Sequence, residues 1–187
     1  MLGYDWARLH AALNDLPAAL LLFAVLFDAL GAVTRRDSLK AAGFWCLLAG
    51  VAGTLLAIGA GLMAEDRVEH SERAHDLMET HETLAFVVLG IFGVLALWRL
   101  VRRVLSRKEE TVYLTVGIVG VAILVATAKI GGNLVFDHGL GLSGHTLQSV
   151  VEERRGGHQH EAEEREGAAP AAGATPPAPA SADTAHH

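Results

Sequence analysis

The sequence predicts an all-α integral membrane protein, a four-helix bundle followed by a polar, disordered C-terminal tail, and three observations predict it. Four apolar runs follow one another along the chain, each close to the ~20 residues a helix needs to cross a ~30 Å hydrocarbon core. Hydrophobic residues make up 51% of the chain, and mean hydropathy is +0.34 even with a polar tail included. Basic residues concentrate in alternate loops, as they do when a chain crosses a bilayer repeatedly.

Residues 1–15 read as an amphipathic entry containing Trp6 and His10. The first span is expected over about 16–34. Asp5 and Asp15 precede its apolar core and Arg35-Arg36 follow it, the reverse of a cleaved secretory signal, so the helix is expected to remain as an anchor. The second span covers about 39–64 and contains Cys46, the single cysteine, which excludes disulfides and thiol-based metal or redox motifs within one chain. Gly53, Ala57 and Gly61, with Ala49 before them, recur at four-residue spacing and form a ridge that lets another helix approach closely. The third span, about 82–105, offers Gly90 and Gly93, and the fourth, about 111–131, offers Gly117 and Gly120, as matching shallow faces. Trp45, Trp98 and Tyr113 fall near span ends, where amphipathic rings sit at headgroup level. Together residues 16–145 form the transmembrane domain. Residues 146–187 turn polar and rich in Ala, Pro and His, a composition that cannot bury enough apolar surface to offset chain entropy.

Lysine and arginine set the orientation. Arg35, Arg36 and Lys40 follow the first span, and Arg99, Arg102, Arg103, Arg107 and Lys108 lie at the end of the third and in the loop after it. The positive-inside rule places these loops in the cytoplasm of a bacterial inner membrane, with both termini periplasmic. All ten histidines then fall on the outer side: His10 before the first span, His70, His75 and His81 between the second and third, and His138, His145, His158, His160, His186 and His187 after the fourth. Imidazole is the commonest neutral metal ligand. His10, His81 and His138 stand at three different span ends on that side, where they would meet at one end of the bundle, the arrangement in which bundle cofactor sites are built. At least two of the three are expected to serve as axial ligands of one haem b, or as ligands of one transition metal. Since no histidine falls within an expected span, such a site would lie shallow, at the outer edge. Asp28, deep in the first span, needs a partner at that depth, and Arg99, Arg102 or the first-loop arginines are expected to supply it. Lys129 lies too far toward the outer side to do so.

The stretch Lys129-Ile130-Gly131-Gly132-Asn133-Leu134-Val135-Phe136-Asp137-His138-Gly139-Leu140-Gly141 resembles the Gly-Gly-x-Leu-Val-aromatic-x-His-Gly-x-Gly signature that closes the bacterial membrane-protein family called domain of unknown function 2231. His10 to Pro17 is similar to that family's His-Pro-x-x-Val-His-Phe-Pro entry, with Ala11 and Asp15 where the family has Pro and a second His. Asn133 stands where Glu is frequent. The resemblance spans roughly residues 8–145. It implies association with membrane electron transfer, because members are found fused to iron–sulfur or cytochrome c modules, and it is compatible with haem binding. The expected function is therefore a non-enzymatic subunit of an electron-transfer assembly, with a shallow haem b or metal site formed by His10, His81 and His138. Expected partners are the lipid bilayer and a redox protein such as a cytochrome c or iron–sulfur protein, with homo-oligomerisation left open. A chain of formal net charge −6 is expected to bind no nucleic acid. Two alternatives stand beside this one, a small oligomeric transporter and a cofactor-free membrane scaffold.

Overall fold

The computed structural model describes residues 2–65, 72–102, 105–141, 144–145 and 148–155. Within residues 1–143, a compact unit, four helices follow in order. They are α1 (Leu2–Thr34), α2 (Asp37–Glu65), α3 (Glu72–Val101) and α4 (Arg107–Phe136). Each contains a segment long and apolar enough to cross a membrane, and only 22–28% of each segment is buried inside the bundle. The remainder includes Leu22, Phe23, Leu26, Leu55, Leu56, Val94, Leu97, Ile118 and Val125, all exposed. An apolar exterior distributed over every helix is what lipid requires and what a soluble domain avoids.

All four helices run longer than the apolar runs that mark them. α1 is continuous through Pro17 from Leu2, so residues 2–15 belong to the helix rather than to a separate entry, and α3 begins at Glu72 rather than near 82. Polar residues extend a helix beyond the hydrocarbon wherever a neighbouring helix supports them, since hydropathy marks only the lipid-facing length. The consequence is functional: His10, His75 and His81 are helical residues, not loop residues. Residues 148–155 are helical, whereas His158, His160, His186 and His187 lie outside the described residues, as does His70.

Neighbouring helices pack around a square, α1 on α2 most extensively, then α3 on α4, α2 on α3 and α1 on α4, which leaves α1/α3 and α2/α4 as diagonals. The α1–α2 seam is close because glycines line it. A methyl group added at Gly50 would meet the Leu21 side chain at 2.7 Å, and one at Gly53 would meet Pro17 at 3.1 Å. The α2 ridge thus continues toward the helix start through Gly50 and Gly43, while Ala49 is exposed. Gly117 and Gly120 pack as expected, against Val25 and against Ile91 and Phe92. Gly90 and Gly93 do not, for nothing lies within 4 Å of a methyl group placed there. The central core is Leu21, Ala24, Leu47, Val88, Phe92, Leu95, Ala96 and Tyr113.

Helix ends follow local chemistry. α4 opens on a capping box in which Ser106 and Glu109 bond each other's backbone N–H. It closes with Leu140 N–H donating to the Leu134 carbonyl (3.0 Å) and Gly139 N–H to Val135 (3.0 Å), with Gly139 at φ 66°. That left-handed residue after the last helical turn is the position glycine fills in such terminators.

Candidate functional site

Two polar layers cross the bundle, one near each end. Both arise because each helix carries a few polar residues among apolar ones, and in lipid such groups must find partners within the protein.

The first layer surrounds Asp28. Its side chain is buried. Oδ1 accepts a hydrogen bond from Arg99 Nη1 (2.8 Å) and Oδ2 one from the Tyr113 hydroxyl (3.0 Å). Arg99 Nη2 donates in turn to the Lys40 carbonyl (3.1 Å). The guanidinium carbon lies 5.4 Å from the Tyr113 ring centre and 5.8 Å from that of Phe44, in range of favourable cation–π attraction. Gly43 makes room, since a methyl group there would meet Asp28 Oδ1 at 2.8 Å. The layer therefore ties α1 to α3 across one diagonal and reaches both α2 and α4. Lys40 pairs with Glu110, and Arg102 with Glu109, farther toward the same end. Of the partners expected for Asp28, Arg99 is the one present. Tyr113 is not an interfacial ring but a buried donor, a role its place near a span end did not announce; Trp98 packs edge-on against it. Trp45 is exposed, as an interfacial residue is expected to be.

The second layer surrounds two imidazoles. His10, on α1, lies about 36 Å from the other end of its helix at 1.5 Å per residue, and His81, on α3, about 30 Å from the end of its own. Both rings therefore sit at the opposite end of the bundle from the Asp28 layer. His10 Nδ1 lies 2.7 Å from the Ala57 carbonyl of α2, and His81 Nδ1 lies 3.0 Å from the Thr127 carbonyl of α4. A carbonyl oxygen only accepts, so Nδ1 carries the proton in both rings, and the neutral form of each keeps its lone pair on Nε2. The ring centres are 6.2 Å apart and the planes stand at 85°. Glycine again permits the approach: a methyl group at Gly61 would meet His10 Nδ1 at 3.0 Å, and one at Gly131 would meet His81 Cε1 at 2.9 Å. The rings border a cavity of about 40 Å³ lined also by Asn14, Pro17, Thr54, Val88 and Thr127. Both threonine hydroxyls donate to their own helix, Thr54 to Gly50 O (2.8 Å) and Thr127 to Ile123 O (2.8 Å).

His138 is placed elsewhere. It follows the α4 C-cap Asp137, is exposed, and does not line the cavity. Of the three histidines expected at one site, the structure brings His10 and His81 together and leaves His138 apart. Among the described residues no cluster of three or more His, Cys, Asp or Glu side chains could hold a metal ion. His75 and His145 are exposed, and so is Lys129. Asn14, Thr54 and Thr127 joined the site without being anticipated; the polar threonines inside apolar spans were the available signal.

With this geometry in view, the comparison with known families is specific. The family model described as "Predicted membrane protein (DUF2231)" matches residues 7–144. The chain belongs to that family. No curated protein and no solved structure matches it. The closing signature of the DUF2231 match now has physical content. Gly131 admits the His81 ring, Gly139 terminates α4 at positive φ, and Gly141, at φ 87°, lies 3.8 Å from the Ala7 methyl group of α1 when given a Cβ. The glycines of the motif thus close the end of the bundle beside the imidazole pair.

A haem does not fit between these two rings. Cofactor pockets occupy ~300–1,000 Å³, and the cavity measures about 40 Å³.

Proposed function

We propose that this membrane protein holds a transition-metal ion at the His10–His81 pair and acts, without catalysing a reaction itself, as a subunit beside a membrane electron-transfer assembly. The observation that carries the metal reading is the shared orientation of the two imidazoles. Each donates Nδ1–H to a carbonyl of a different helix, the outer contact that metal-ligating histidines use to fix tautomer and orientation, and both rings line one cavity. Of the two cofactors the histidines suggest, the cavity volume favours a bare ion over haem b. The electron-transfer context rests on the family's fusion partners. The orientation that accompanies the proposal puts the arginine- and lysine-bearing ends in the cytoplasm of a bacterial inner membrane and the imidazole pair on the periplasmic side.

A small transporter is less well supported. The two polar layers stand about 27 Å apart along α1 at 1.5 Å per residue. Leu21, Ala24, Leu47, Val88, Phe92 and Leu95 are packed between them, and Asp28 is engaged by Arg99 and Tyr113 rather than facing a path.

The test is metal analysis of full-length protein purified in detergent from cells supplied with iron, copper and zinc, together with its absorption spectrum. The expected result is one equivalent of metal without a Soret band. His10→Ala and His81→Ala should lose the metal and His138→Ala should retain it. Metal-free wild-type protein would overturn the proposal. A reducible Soret band lost in His81→Ala would return the assignment to haem b.

A further inference from the structure

The chemistry of the pair narrows the ion. We infer that the His10–His81 pair is a two-coordinate site for a monovalent, soft d10 cation, Cu(I), an assignment that rests on the metal reading above and deepens it.

Donor number is the first ground. The site offers two imidazole nitrogens and no third His, Cys, Asp or Glu among the described residues. Structural zinc takes four protein ligands and catalytic zinc three, and Mg²⁺ or Ca²⁺ demand six or more oxygens. A divalent ion here would have to complete its shell with waters or with the neutral side chains that line the cavity. The Thr54 and Thr127 hydroxyls, already donating to backbone carbonyls, are neutral and weak substitutes.

Charge is the second ground. Both ligands are neutral, no carboxylate lines the cavity, and Pro17, Ala18, Val88 and Leu124 supply apolar walls. The cost of bringing an ion into such surroundings grows with the square of its charge, so a dication is penalised about four times as heavily as a monocation of similar size. Monovalent copper is the first-row ion content with two nitrogen donors.

Geometry is the third. Two metal–nitrogen bonds of about 2.0 Å together with the radii of the two rings place imidazole centres roughly 6 Å apart in a linear complex. The observed separation is 6.2 Å, with the ring planes at 85°, which matches that span. Delivery is favoured by charge, because Glu82, the residue after His81, lies within electrostatic range of Glu65 and Glu79 at the same end of the bundle, and grouped carboxylates raise local cation concentration.

The experiment uses the full chain in detergent with His158, His160, His186 and His187 changed to Gln, so that loose capture by the tail does not obscure the site. Cu(I) is titrated anaerobically against a chromogenic Cu(I) chelator, and Zn(II) and Cu(II) against their own indicators. The expected result is one tightly held Cu(I) with an X-ray absorption edge of a two-coordinate nitrogen site, bound at least ~100-fold more tightly than Zn(II). His10→Gln and His81→Gln should each weaken Cu(I) by at least ~100-fold. Gly131→Ala, which keeps both imidazoles but displaces the His81 ring, should weaken it ~10-fold, and Gly132→Ala should not; this pair decides the matter if a histidine variant fails to fold. Zn(II) held at the pair as tightly as Cu(I) would overturn the monovalent assignment while leaving the metal reading intact. No ion dependent on His10 or His81, or equal Cu(I) affinity in the two glycine variants, would overturn both.

Discussion

Replacing Asp28 by Asn removes one negative charge and almost no volume, which makes it a direct probe of the charged layer. The amide can still meet the Tyr113 hydroxyl, but Arg99 loses its counter-charge at a position where its side chain is only 13% exposed and Asp28 only 3%. Breaking a buried ion pair from one side costs ~3–5 kcal/mol, because the remaining charge is left uncompensated. Two features lower the expectation to the bottom of that range. Arg99 keeps the Lys40 carbonyl, and the Tyr113 and Phe44 faces offer cation–π attraction of ~0.5–2 kcal/mol. Asp28→Asn should therefore destabilise the bundle by about 3 kcal/mol. Arg99→Met should cost a similar amount by stranding the carboxylate. The double variant should recover at least ~2 kcal/mol relative to the sum of the two, the signature of direct coupling. Reversible unfolding in mixed micelles of increasing SDS fraction, followed by circular dichroism, gives all four free energies. A loss below ~1 kcal/mol in Asp28→Asn, or additive single effects, would refute the view that Asp28 and Arg99 are a structural tie, since unrelated membrane hydrogen bonds average only ~0.6 kcal/mol.

Further outcomes follow from neighbouring contacts. Tyr113→Phe should lower stability by ~1–2 kcal/mol, read in the same micelles, because Asp28 Oδ2 loses the buried donor that lies 3.0 Å away. Gly132→Ala, with nothing within 4 Å of the added methyl group, should be neutral or stabilising by up to ~1 kcal/mol, whereas Gly131→Ala, which meets His81 at 2.9 Å, should lower the unfolding midpoint. Gly50→Leu should separate α1 from α2 at Leu21, already 2.7 Å from an added Cβ, and abolish folded protein on size-exclusion chromatography. In a Cys46→Ser background, cysteines at Ser71 and Ser181 should react with an impermeant maleimide on intact cells and one at Lys108 should react only after lysis; the reverse pattern would invert the orientation.

The charged layer was legible because a carboxylate inside an apolar run has few ways to exist. Asp28 demanded a cation at its own depth, and Arg99 was among those the loops supplied. The choice among Arg99, Arg102 and the first-loop arginines depended on which helices lie across the diagonal, and so did Tyr113, whose hydroxyl reaches Asp28 only because α4 neighbours α1. The imidazole pair was half legible. His10 and His81 were visible as residues on one side of the membrane, but hydropathy began α1 and α3 too late and so placed both rings before the helices, with His138 as an equal third. Helices continue past the hydrocarbon when a neighbour supports them, and a one-dimensional pattern does not contain the neighbour.

The sequence by itself determined that the chain is a four-span membrane protein. Apolar length and the spacing of charged loops are local quantities, set by the thickness of a bilayer and by the need to satisfy every backbone group within each helix. Only the tertiary structure decided which polar residues meet. His10 joins His81 rather than His138 because α1 and α3 face each other across the bundle while Gly61 and Gly131 bring α2 and α4 against the two rings, and His138 stands beyond the end of α4, exposed. Contacts of this kind depend on how four cylinders rotate about their own axes, and that rotation is fixed jointly by small residues on several helices rather than by any one stretch of sequence.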